Sequence, residues 1–105
     1  MFAMMRMRQM KIKQFGEEYE VTIHKSCYYD GNLAIFLTCK DGEPYGNLTV
    51  NLSERLLPDT AYVNTNNMPD AERFIKEYGL GEFTGTIRRS GFCDYPLYRF
   101  NLDKF

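Results

Sequence analysis

Apolar and polar residues alternate along most of this chain. Tyr19, Val21 and Ile23 are interleaved with Glu20, Thr22 and His24, and Leu33, Ile35 and Leu37 recur at every second position, as do Leu48, Val50 and Leu52. A period of two sends successive side chains to opposite faces of an extended backbone, so these runs predict half-buried strands. The pattern predicts strands over residues 10–15, 18–25, 33–40, 43–52, 61–63, 82–89 and 92–102. Turns are marked by Gly16-Glu17, Asp30-Gly31 and Asp41-Gly42, because glycine accepts the positive φ that tight hairpins require. The first four strands therefore read as an antiparallel meander over residues 10–52. Residues 33–40 read as its central strand, since Ala34 and Phe36 make the second face partly apolar too. Pro44 and Gly46 are expected to weaken or bulge the start of the fourth strand.

Only one segment carries the helical period. Ala71, Phe74, Ile75 and Tyr78 share a face at helical spacing. Asn67 or Met68 is the expected cap, Pro69 and Asp70 suit the first turn, and Gly79 is the stop. Glu72 with Lys76 and Arg73 with Glu77 stand four residues apart on the outer side. The fold class that follows is α+β: a twisted, mainly antiparallel sheet of about five to seven strands with one helix, residues 69–78, packed on one face. The helix is expected to meet Val21, Ile35, Leu37 or Val50.

Length and composition narrow the picture. With 105 residues, 44% hydrophobic and 26% charged, the chain suits one globular domain, expected over residues 10–105 behind a flexible extension at residues 1–9. Five of the first ten residues are methionine (Met1, Met4, Met5, Met7 and Met10), so translation could begin at more than one of them. Arg6 and Arg8 interrupt that stretch before it reaches signal-peptide length, and no run is long enough to span a membrane. A cytoplasmic location is expected, with Cys27, Cys39 and Cys93 as free thiols. The net charge is -1, but residues 1–13 hold Arg6, Arg8, Lys11 and Lys13 and no acid. A basic arm thus precedes an acidic body, with few charges for gripping a phosphate backbone.

Candidate chemistry is sparse. His24, the only histidine, and the three cysteines could nominally supply four zinc ligands, yet only His24 and Cys27 approach the spacing of a zinc knuckle. Along a strand an offset of three puts those two on opposite faces. A Cys–His nucleophile, with Cys27 or Cys93 beside His24, lacks any feature that would lower a thiol pKa. No phosphate-binding glycine loop is present. The expectation is a protein that is not an enzyme, with no catalytic residues, cofactor or metal. The segment from Arg88 to Phe100 is the exception, because Arg88, Arg89, Tyr95 and Arg99 mix cations with stacking planes, as single-stranded nucleic-acid surfaces do. Alternation puts Arg89 on the face of Phe83 and Ile87 and Arg88 on the other, so the two cannot both grip one ligand without a bend at Ser90-Gly91.

Tyr45-Gly46-Asn47-Leu48-Thr49-Val50-Asn51-Leu52 and Ser90-Gly91-Phe92-Cys93-Asp94-Tyr95-Pro96-Leu97 carry a resemblance. Together they are similar to a small bacterial domain-of-unknown-function family, number 4313, over most of residues 10–102. The resemblance supplies no activity, cofactor or site residues. It implies an accessory protein of conjugative and other mobile elements in gut bacteria. The functional expectation is a protein–protein interaction module, possible partners including a second copy of itself through an exposed strand edge. Nucleic-acid binding through Arg88, Arg89, Tyr95 and Arg99 is the alternative.

Overall fold

A computed structural model describes residues 10–105. The extension expected over residues 1–9, including Arg6 and Arg8 of the basic arm, lies outside the described residues.

The first four strands are β1 (Met10–Gln14), β2 (Glu17–Cys27), β3 (Leu33–Cys39) and β4 (Pro44–Asn47), joined in the order β1-β2-β3-β4. This is the expected meander, with β3 inside it. Its first turn falls one residue earlier than expected: Phe15 (φ 50°) and Gly16 (φ 83°) both take positive φ, and Gln14 pairs with Glu17. Two consecutive positive φ values match the right-handed twist of a two-residue hairpin, so Phe15 leaves the strand and stands in solvent. The predicted disturbance at Pro44 is a bulge, with the β3–β4 register shifting between Leu37 and Thr38.

The α+β class holds, but the strands divide into two four-stranded antiparallel sheets rather than one sheet of five to seven. The run expected over residues 43–52 breaks at Leu48 into β4 and β5 (Thr49–Val50). Leu48 is the switch. Its N–H donates to the Ile35 carbonyl at 2.9 Å in the first sheet, while its own carbonyl accepts from Asn64 N–H at 2.9 Å, just past β6 (Thr60–Val63). With β7 (Gly81–Ser90) and β8 (Cys93–Phe100) the second sheet runs β5-β6-β8-β7. β8 ends at Phe100, and Leu102–Lys104 form a 3-10 turn instead of extending the strand to residue 102.

Helix α1 (Ala71–Glu77) is shorter than the expected 69–78, and its cap position is Asp70, not Asn67 or Met68. Its end is as expected: Gly79, at φ 64°, donates to the Lys76 carbonyl and Leu80 to that of Ile75, a left-handed cap that closes the last carbonyls. Ala71, Phe74 and Ile75 are fully buried in a core shared with Ile12, Val21, Ile35, Leu37, Val63 and Phe100. Val50, proposed as a helix neighbour, is half-exposed and stands outside that core. Glu72 does not bridge to Lys76. Tyr98, reaching from β8, donates its hydroxyl to Glu72 at 2.5 Å, and burial with that bond raises the phenol's pKa. Arg73 and Glu77 pair as expected.

Candidate interaction edge

Four strands lie at sheet edges, and the sequence treats them differently. β4 carries Pro44 and a bulge, and β5 is only two residues long. Along β1, side chains of α1 take up the backbone: Lys11 N–H donates to the Tyr78 hydroxyl at 2.8 Å and Lys13 N–H to the Asp70 carboxylate at 2.7 Å. The Arg73 guanidinium also reaches the Lys11 carbonyl, at 3.3 Å. Arg73 lies 2.6 Å from Asp70 and holds that carboxyl below the ordinary carboxylate range, with the Lys13 amide adding to the effect.

β7 has no such cover. It pairs with β8 on its inner side, and among the described residues no strand pairs with its outer side. Nine of its ten residues are exposed. Such an edge offers a row of backbone donors and acceptors to any further strand. The root of the arm is tight, since a Cβ on Gly81 would fall 2.6 Å from the Arg99 carbonyl. Midway, the pairing shifts between Phe83 and Ile87, and Gly85 takes φ 97°. The hairpin tip carries Phe92, almost wholly in solvent.

Cross-strand partners assign the faces. Phe83 lies opposite Tyr98, Ile87 opposite Pro96 and Arg89 opposite Asp94 on the face that continues the core. Glu82 lies opposite Arg99 and Arg88 opposite Tyr95 on the other face. Phe83 and Ile87 remain 46% and 60% exposed, because the core under the sheet does not extend that far along the arm.

Of the four nucleic-acid candidates, then, Arg88, Tyr95 and Arg99 share a face and Arg89 sits on the opposite one. Each arginine also has an acid beside it: Arg88 pairs with Glu54, Arg89 with Asp94 at 3.4 Å and Arg99 with Asp59 at 3.5 Å. Glu54 also accepts the Tyr62 hydroxyl at 3.0 Å, and the Arg88 bond followed by the Tyr62 bond lowers its pKa. The loop bearing Glu54 is fixed by buried Asn32, whose amide donates to the Glu54 carbonyl at 2.7 Å and whose oxygen accepts from Leu56 N–H at 3.2 Å. Local alternation carried no sign of this Asn32–Glu54–Arg88 chain, whose members are far apart in sequence.

The zinc and thiol candidates are scattered. His24 lies on the outer face of the first sheet, stacked on Phe36 and 2.8 Å from the Thr38 hydroxyl. Cys39 lies opposite Val21 on the inner face, and Cys93 belongs to β8. Among the described residues no three His, Cys, Asp or Glu side chains are grouped to hold a metal ion, and no helix is long and apolar enough to cross a membrane. A wide groove of about 800 Å³ passes Phe15, Glu17, Pro69 and Asp70, and none of the sequence-predicted site residues lines it.

The architecture defines a small α+β domain of two antiparallel sheets and one helix, with a long strand edge that is unpaired among the described residues. A family model matches residues 21–105, and the chain belongs to that family, Domain of unknown function (DUF4313). The match begins inside β2 and takes in both sheets except β1 and the start of β2. No curated protein and no solved structure matches the chain.

Proposed function

We propose that the protein is a non-enzymatic interaction module of the cytoplasm that binds a protein partner along the outer edge of β7. One observation carries this reading: β1 is covered by side chains, β4 has four residues including Pro44 and β5 has two, whereas β7 runs for ten residues, shifted only about Gly85, with no strand on its outer side among the described residues. Partner strands add to such edges through main-chain hydrogen bonds and gain selectivity from the side chains flanking them. Phe83 and Ile87 supply apolar contacts on one face of that edge. Three cysteines without disulfides suit a reducing compartment. The family's implied association with mobile elements supports an accessory role there.

Affinity capture from the native host tests the reading, using the full chain and the Ile87→Lys variant. A partner retained by the native chain and lost from the variant, with thermal unfolding unchanged, is the expected result. Identical captured proteins from both would refute it. Single-stranded nucleic acid is the second reading, favoured by Arg88, Tyr95 and Arg99 sharing one face. Its measure is oligonucleotide anisotropy at two salt concentrations, since phosphate binding weakens steeply as salt rises. Binding that is absent at low salt, or indifferent to Arg88→Ala, removes it.

A further inference from the structure

Residues Glu82-Phe83-Thr84-Gly85-Thr86-Ile87-Arg88 have the same chemical order read from either end, except that the terminal charges are opposite. From Gly85 outward come threonine, then a large apolar residue, then a charged one. We infer that the strand added to β7 is β7 of a second copy, antiparallel and related by a two-fold axis at Gly85; this rests on the edge-binding reading above and names its partner. In that register Glu82 faces Arg88 of the second copy, Phe83 faces Ile87, and Thr84 faces Thr86, each pair occurring twice.

The faces and charges of β7 suit this pairing on both sides of Gly85. Residues directly opposite in a continuous sheet must share a face, and Glu82 and Arg88 share one while Phe83 and Ile87 share the other. Gly85 takes φ 97° where β7 bulges against β8, and the Thr86 N–H donates to the Thr84 hydroxyl at 3.2 Å, so the two copies meet across a bend at the axis and pair through Phe83 and Ile87 on either side of it. Glu82 has no ion-pair partner among the described residues, because the arginine opposite it is drawn to Asp59. Arg88 holds Glu54 through one guanidinium nitrogen and keeps further N–H donors for a second carboxylate. Parallel addition, or a register shifted by one residue, would misalign both the charges and the apolar pair. A single strand junction buries less than the roughly 1,200 Å² at which stable interfaces begin, so a weak, concentration-dependent dimer is expected.

Charge reversal tests the inference on the full chain. Glu82→Arg sets two arginine pairs across the axis and Arg88→Glu two acidic pairs, so each variant alone should self-associate about thirtyfold more weakly in sedimentation equilibrium. An equimolar mixture of the two variants places an acid opposite a base at both sites, and should dimerise again. That recovery would also show that both variants are folded. A native chain that stays monomeric, reversals without effect, or a mixture that stays monomeric would each overturn the self-pairing. If the native chain is monomeric yet Ile87→Lys still removes a captured partner, only the self-pairing falls. If Ile87→Lys also changes nothing, the edge reading falls with it.

Discussion

The two outermost long strands, β1 and β7, answer the same physical problem in opposite ways. Both expose one side of a ladder. At β1 the helix lies alongside and meets the backbone with three side chains, Asp70, Arg73 and Tyr78. At β7 no described strand pairs with the outer side, and the apolar pair Phe83 and Ile87 is left in solvent. One edge is closed by the fold itself, and the other is open to a separate molecule. The contrast shows that open edges are not a general failing of this small domain, which has enough side chains to close the edge it needs to close.

The largest effect should separate the guarded side from the open arm most clearly. Phe74→Ala removes a ring with no exposed surface and should cost about 3–5 kcal/mol in denaturant unfolding, whereas Phe92→Ala at the hairpin tip should change stability by less than about 0.5 kcal/mol. A comparable loss from both would mean that the arm is part of the cooperative core. Next comes the root of the arm. Gly81→Ala forces a methyl group into the Arg99 carbonyl and should destabilise by about 1–3 kcal/mol. Unchanged thermal unfolding would show that β7 can shift away from β8 without penalty.

The guard itself gives a smaller change. Asp70→Ala deletes the acceptor for the Lys13 amide and the partner of Arg73, for an expected loss of about 1.5–3 kcal/mol. Hydrogen exchange should speed up at Lys13 in that variant while Lys11, bonded to Tyr78, and the β7 amides barely change. Equal acceleration in both strands would contradict the local character of the guard. The pH dependence has the same origin. Arg73 lowers the folded-state pKa of Asp70, so its contribution is complete above the unfolded carboxylate pKa and is lost as pH falls through the depressed folded value. Acid titration of stability should therefore show a component that Asp70→Asn abolishes, and an identical acid profile for the variant would exclude it.

Much of the fold could be read from local pattern. Alternation located the strands, glycine located the turn after β3 and the end of α1, and the parity of Arg88 and Arg89 foretold that they would lie on opposite faces. What local pattern could not supply was partnership. The Leu48-Val50-Leu52 alternation runs straight through the point where the chain changes sheets, because that change is made by hydrogen-bond direction at Leu48 and not by any change in side-chain period. Phe15 in a turn was equally hidden, since a large residue at positive φ opposes its own preference and is held there by the pairing of Gln14 with Glu17. The open edge of β7 became visible only when the strand order showed β8, and not β7, lying next to β6.

The place of β8 also bears on how the chain is made. The first sheet grows from hairpin to hairpin, so each new strand meets the preceding one soon after synthesis. The second sheet must wait, because β8 is the last strand of the domain in chain order and fills the position between β6 and β7. Until it emerges from the ribosome, Ala61 and Tyr62 lack the neighbours that later bury them, and Glu72 lacks the tyrosine that will hold it. A nascent chain at that stage has an open edge at β6 and a β7 without a partner strand, and β8, its own or that of a neighbouring copy, satisfies both.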